Sequence, residues 1–295
     1  MLIMKRLSVV LMMLVMVTGC SFATKEGVVV KPKVLYVTFE PGKYHKYTPQ
    51  LKIVREVIAP KGNWQLDVIT GGYDEVVGKL RKKDFAKGYD AVVYNYCFAH
   101  SKDLDACDNI INQTRKGGVN AMMIHCAMHS FWPTFKHNTK VAKGALGKSY
   151  TGKGTPTKEA VAAWQKDHGD APFPVYGDFT GIASFKHGPK KPIKLIKLKD
   201  HPTTKNVPAD YATAKAELYN NGYVIDNVVP LLKGVQAGKN KKGKPFSDEA
   251  VVMWTTQQGK GELLGLTLGH AEPEWEDPVF QTLIVDSVNY LAGVK

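Results

Sequence analysis

The sequence predicts an α/β fold with a mostly parallel central sheet and helices on both faces, and three observations predict it. Between Lys33 and Ile124, four short apolar runs alternate with three polar or helix-period connections. Runs such as VLYVTF (Val34 to Phe39) are apolar at consecutive positions rather than at every second one, as strands covered on both faces require. The chain then closes with a hairpin signature and a long amphipathic helix.

Val34 to Phe39 is the first strand; it breaks at Glu40-Pro41-Gly42 and leads past Tyr44 and His45 into a helix expected from Thr48 to Ile58. Trp64 to Thr70 is the second strand, Asp74 to Lys83 a short polar helix and Asp90 to Tyr96 the third strand. Ser101 is placed as the cap of a helix that carries Leu104, Cys107 and Ile111 on one face and closes near Arg115, with Asp103 and Asp105 suiting its positive end. Gly117-Gly118 ends that helix, and Val119 to Ile124 is the fourth strand, running straight into His125, Cys126 and His129. This alternation is flavodoxin-like, a three-layer doubly wound arrangement.

From residue 137 to 180 the alternation stops and Gly, Lys, Thr and Pro dominate, apart from a helical piece around Glu159 to Gln165; the segment reads as an insertion or lid. Additional β-strands follow at Ile182 to Lys186, Ile193 to Lys199, Ala216 to Tyr219 and Gly222 to Leu232. Ala250 to Thr256 and Glu262 to Thr267 flank a Gln-Gly-Lys-Gly turn, and the second of them ends in Gly269-His270-Ala271-Glu272. Asp277-Pro278 starts the last helix, with Phe280, Leu283, Ile284, Val288 and Leu291 on its inner side.

The N-terminus reads as an address rather than as structure. Lys5 and Arg6 precede an apolar stretch, Leu7 to Val17, that is shorter than the roughly 20 residues a bilayer span needs and stops at Thr18-Gly19-Cys20. Val17-Thr18-Gly19-Cys20 resembles a bacterial lipobox, so residues 1–19 are expected to be a lipoprotein signal peptide, Cys20 the lipidated residue, 20–32 a tether and 33–295 the domain. The expected location is the cell envelope, lipid-anchored on its periplasmic or extracellular side, with the membrane met only through the lipid; Ser21 after the cysteine would permit sorting to an outer membrane.

The formal charge is +13. It is almost all lysine, with only Arg55, Arg81 and Arg115 beyond the leader and no groove-facing basic helix, which argues against a nucleic-acid partner. Composition leaves the oligomeric state open. Beyond Cys20 three cysteines remain, so at least one is unpaired within the chain. Cys107 reads as a small core residue, which disfavours the available Cys97–Cys107 pairing.

Of the nine histidines, His45, His125, His201 and His270 fall at or just past strand ends, where ligands collect in doubly wound sheets. His125 and His129, four apart, together with His270 and Glu217 of AELY, form a candidate ligand set for a divalent ion such as zinc or manganese. The alternative is a neutral imidazole network that orients one base. A rival site uses Cys126 as a nucleophile with His270 and Glu272. Cys126 lies between His125 and Ala127 rather than between glycines, which favours a space-filling role.

GGVNAMMIHCAMHSFW (Gly117 to Trp132), HPTTKNVP, AELY and VVMWTTQQGKGELLGLTLGH together resemble the ThuA-like, or trehalose-utilisation, domain of the class I glutamine-amidotransferase-like superfamily, over about Lys33 to Gly293. The resemblance implies a flavodoxin-like domain with His125 at the usual nucleophile position and with His45, His201, Glu217 and His270 at recurring polar positions. Asn120, Met122 and the lysine-rich insertion depart from that pattern. The family link points to sugars, in particular disaccharides or keto-sugars. The reaction expected is isomerisation or an elimination that cleaves a glycosidic bond. His125 or His270 would be the base, with His45 beside them as the third catalytic histidine, and Tyr44, Trp132, His201 and Trp275 would line the substrate. Two-carboxylate glycoside hydrolysis is disfavoured, because the strand ends supply histidines and one good acid. The contrasting expectation is a non-catalytic glycan-binding or scaffold lipoprotein.

Overall fold

A computed structural model describes residues 31–137, 140–144, 147–151, 154–239 and 242–294. The leader, Cys20 and the tether up to residue 30 lie outside the described residues. Among the described residues, no helix is long and apolar enough to cross a membrane.

In chain order the first half contains β1 (Lys33–Val37), α1 (Tyr47–Ile53), a π-helical continuation (Val54–Ile58), α2 (Ala59–Gly62), β2 (Gln65–Ile69), α3 (Tyr73–Leu80), β3 (Ala91–Tyr94), α4 (Leu104–Arg115) and β4 (Asn120–Ile124). Short 3-10 turns at His125–His129 and Trp132–Thr134 lead into β5 (Phe135–His137), β6 (Lys140–Gly144), β7 (Gly147–Thr151), β8 (Gly154–Pro156), α5 (Lys158–His168), α6 (Tyr176–Thr180) and β9 (Ile182–Ala183). Then come β10 (Lys194–Lys197), a 3-10 turn (Pro202–Thr204), β11 (Tyr223–Val224), β12 (Val228–Lys239), β13 (Pro245–Gln258), β14 (Gly261–Leu266), α7 (Glu272–Trp275) and α8 (Pro278–Leu291).

The main sheet has eight strands in the order β10-β12-β13-β14-β4-β3-β1-β2. Five of them, β2, β1, β3, β4 and β14, are parallel, and β13, β12 and β10 extend the sheet antiparallel. The parallel block therefore has the doubly wound order with its switch point between β1 and β3, and ligands gather beyond the carboxyl ends there. Successive residues of β4 serve opposite layers. Met122 and Ile124 pack with Leu51, Val54 and Ile58 of the first helical stretch and with Phe280, Leu283 and Val288 of α8. Ala121 and Met123 pack with Val76, Leu80, Ala106 and Ile110 of α3 and α4. Asn120 has a structural reason for its place: its amide donates to Leu291 O at the end of α8 and accepts from Glu262 N at the start of β14.

Several expectations are revised. Asp103, not Ser101, caps α4 by accepting from Ala106 N, while Ser101 receives the Tyr73 hydroxyl. The 137–180 segment is built rather than irregular: it contains strands and two helices, and β6 and β7 join β11 and β9 in a second sheet. Ala216 to Tyr219 is not a strand but is held by single bridges, Lys191 to Ala216 and His187 to Tyr219. The disulfide joins Cys97 to Cys126, Cα to Cα 5.0 Å, because β3 and β4 are neighbours and both residues lie just beyond their carboxyl ends. Cys107 is free and buried, as its core reading requires.

Candidate functional site

Four chain segments leave the carboxyl edge of the parallel block and deliver the site. After β1, the Glu40 carboxylate accepts from Gly42 N (2.8 Å) and Thr48 N (2.5 Å), pinning the loop that carries His45. Gly42 has no room for a side chain, since a Cβ there would collide with the His45 carbonyl. After β4 the chain turns abruptly: His125 has φ 49°, a left-handed conformation that non-glycine residues adopt sparingly and that is concentrated at functional sites. After β14, Glu274 of α7 accepts from the backbone N–H of Gly269 (3.1 Å), His270 (2.8 Å) and Ala271 (3.4 Å), which fixes the turn carrying His270. Burial pushes the Glu274 carboxyl up even so. After β3, the Tyr96–Ala99 stretch is tied to the β4 turn by the disulfide and by Phe98 N donating to Ser130 Oγ.

These segments bring three imidazoles together. One nitrogen each from His45, His125 and His270 lies within 4.8 Å of the others. Ring centroids of His45 are 4.8 Å from His125 and 5.0 Å from His270. Each ring has an acceptor at Nδ1: Thr267 O for His125 (2.6 Å), His270 O for His45 (3.3 Å) and Glu217 Oε2 for His270 (3.3 Å). The carbonyl acceptors favour an Nδ1–H on His45 and His125, as such acceptors commonly do for metal-binding or basic histidines, while His270 Nδ1 also faces His125 Nε2 at 3.4 Å. Tyr219 O–H donates to His125 Nε2 at 2.9 Å.

Glu217 is buried, with Oε2 3.7 Å from His125 Nε2 and Oε1 facing His187 Nδ1 (3.6 Å) and Lys190 Nζ (3.9 Å). Burial alone would push its carboxyl up; the imidazoles of His125 and His270 outweigh that and hold it well below the usual carboxylate range. His45 is pushed down to about 3, by burial first and then by His125 and His270, so it is neutral at physiological pH. Burial, with Glu217 nearby, raises the Tyr219 hydroxyl far above its ordinary value and keeps it a proton donor.

His45, His270, Glu217 and Tyr219 line a cavity of about 500 Å³, and His125 is buried behind them. Tyr44, Trp132, Phe185 and the Cys97–Cys126 pair supply its less polar lining, Lys186 and Lys190 its cationic lining, and His100 and His187 line it as well. His129 lines the cavity too, but its ring stacks on Tyr219 (4.1 Å between centroids) and against Trp132 (4.8 Å) rather than joining the trio. Among the described residues, His45 takes the third place in the candidate metal-binding group, which is a correction to the set His125, His129, Glu217 and His270.

Two other expected site residues are elsewhere. His201 follows β10, which runs antiparallel to the parallel block, so it emerges at the opposite edge, where its ring packs on Tyr290 and its Nδ1 meets Thr203 Oγ1. Trp275 is fully buried, donates to Gly269 O and packs on Phe280, so it cannot stack on a substrate. The Cys126 triad is also excluded as drawn, because the sulfur is in the disulfide and Glu272 is exposed; the carboxylate near His270 on that turn is Glu274, bound to backbone. Sequence reasoning missed Tyr219, His187, Lys186 and Lys190. Tyr219 had a signal, two residues after Glu217 in an extended stretch and so on the same side; His187 and the lysines sit in a Gly-Pro loop with no period to mark them.

Fold and site together define a flavodoxin-like α/β protein with a histidine and carboxylate pocket at the carboxyl edge of its sheet. More specifically, the chain belongs to the ThuA, trehalose utilisation, family, whose family model matches residues 33–291. Solved structures share the fold. A ThuA-like protein from Parabacteroides merdae superposes with a TM-score of 0.62 at 16% identity, covering 90% of this chain and 91% of that one. One from Bacteroides uniformis gives 0.56 at 16% identity, covering 88% and 92%. A cytoplasmic protein from Salmonella typhimurium gives 0.50 at 15% identity, covering 89% and 99%. No curated protein sequence matches the chain.

Proposed function

We propose that the chain acts on a sugar or keto-sugar, moving the proton on the carbon next to a carbonyl and so leading to isomerisation or to elimination of a glycosidic substituent. The observation that carries this reading is the convergence of His45, His125 and His270 beside an ionised Glu217, with His45, His270 and Glu217 lining a cavity of about 500 Å³ and His125 buried behind them. Tyr44 and Trp132 offer aromatic faces to a sugar ring. His125 Nε2, with its proton fixed on Nδ1 by Thr267 O, is the first candidate base, and Tyr219 O–H stands next to it to return a proton. Glu217 orients His270.

The donor set also suits a divalent ion of the zinc or manganese kind: one nitrogen from each of three imidazoles and an adjacent carboxylate. His45, His125 and His270 would hold it, and it would supply Lewis-acid polarisation of the carbonyl. The groups then left to hold the proton are Glu217 and the Tyr219 hydroxyl. The same reading puts the domain at the cell envelope, tethered through Cys20, on the strength of the leader-like residues Lys5 to Cys20.

The test is solvent deuterium exchange into a keto-disaccharide, read by mass spectrometry, alongside metal analysis of the purified chain. Exchange is expected in the wild type and is expected to fall by about 10²–10⁴-fold in His125→Asn, the range a positioned acid–base group contributes. Bound metal, if retained at one equivalent, is expected to drop with the same substitution. Undiminished exchange in His125→Asn would sink the reading; sugar binding without any exchange would leave a binding protein.

A further inference from the structure

The cavity has a cationic side that the proposed chemistry does not use. Lys186, His187 and Lys190 lie between β9 and β10 and line the same cavity as His45 and His270. They sit on a fixed segment. Asn220 Oδ1 accepts from Phe185 N, Lys186 N and Ser184 Oγ, Gly188 N donates to Leu218 O, and single bridges pair His187 with Tyr219 and Lys191 with Ala216. Lys190 Nζ reaches to 3.9 Å from Glu217 Oε1 and Lys186 Nζ lies 5.9 Å from the centroid of the Phe185 ring, so a pinned backbone presents both at the cavity rim with less to order than on a loose loop.

The charge is not balanced from within. Glu217 is the one carboxylate lining the cavity, and its two oxygens are shared among His125, His270, His187 and Lys190. Among the described residues no carboxylate pairs with Lys186, and the distant contact to Glu217 is Lys190's one ion pair. A concave, partly apolar site with surplus positive charge concentrates anions and strengthens their pairing relative to open water. The less polar lining contributed by Tyr44, Trp132 and Phe185 suits a sugar ring.

We infer that the preferred ligand is an acidic carbohydrate: a sugar bearing a carboxylate, phosphate or sulfate that Lys186 and Lys190 receive, with its ring against the aromatic lining. The inference rests on the sugar reading above and narrows it. The experiment is calorimetric titration of the full chain with three disaccharides: one containing a hexuronic acid, its neutral counterpart and a phosphorylated one. Inorganic phosphate is the ion control, and Lys186→Gln/Lys190→Gln is the variant. The expected result is at least tenfold tighter binding of an acidic member than of the neutral one, weakening as salt is raised and disappearing in the double variant. Which acid binds tighter separates carboxylate from phosphate recognition.

Equal binding of neutral and acidic sugars, or a preference that survives in the double variant, overturns the inference and leaves the sugar reading standing. Lysine-dependent binding of inorganic phosphate with no sugar bound overturns the sugar reading, and the acidic-carbohydrate inference with it. Binding of none of the four probes overturns both. A thermal melt of the double variant matching wild type excludes misfolding as the cause.

Discussion

The histidine side of the cavity stands on parallel strands covered by helices on both faces, whereas Glu217, Tyr219 and the lysine side hang on loops between β9 and β11 held by single bridges and side-chain amides. The first side is held by hydrophobic burial. His125, His45 and His270 follow β4, β1 and β14, whose residues are almost all buried. The second is held by polar contacts whose partners are far apart in sequence, such as Asn221, which exchanges hydrogen bonds with Val251 across the start of the antiparallel extension. A site assembled this way can keep its reactive groups fixed while the side that meets the rest of the ligand varies.

Substitutions can break or sharpen that contrast. The largest effect is expected from Trp275→Ala on the buried side, about 3–5 kcal/mol as for other buried aromatics, measured by urea unfolding. A loss below 1 kcal/mol would mean that α7 is not part of the cooperative core. Asn221→Ala is expected to cost less, about 1–3 kcal/mol, because it leaves the Val251 N–H and carbonyl without their side-chain partners. It should also weaken ligand binding, whereas a stability loss with unchanged binding would separate the Val251 contact from the positioning of Tyr219.

The smallest effect is a pH dependence on the buried side. Burial raises the half-buried Asp108 carboxyl of α4, so the folded state holds that proton more tightly than the unfolded chain. Its contribution is present below the ordinary carboxylate range and is lost as pH rises through the raised value. Asp108→Asn should flatten that slope in unfolding measurements across the acidic range; an unchanged slope would assign the dependence to other groups.

The same contrast explains what could be read from the sequence. Consecutive apolar runs mark buried parallel strands, so β1, β3, β4 and β14 were legible, and with them His45, His125 and His270 at their ends. Glu217 was legible as an acid in AELY, although its backbone is not a strand. His201 misled because a strand-end position says nothing of direction: β10 runs the other way, and the histidine leaves by the other edge. The Cys97–Cys126 pairing needed the knowledge that β3 and β4 are neighbours, which spacing alone does not contain. Trp275 was placed near the crevice correctly in sequence and wrongly in space, since the turn of α7 sends the indole back under Gly269.

The left-handed backbone at His125 bears on how this pocket could be lost over evolutionary time. An alanine, valine or serine there would take over the left-handed turn without the imidazole, at a cost on the order of 1 kcal/mol or more. Glycine and asparagine accept that conformation readily. Under the proposed function, relatives that lose the chemistry should therefore drift toward glycine or asparagine after the fourth parallel strand, so the residue type found there would distinguish a retired pocket from a working one.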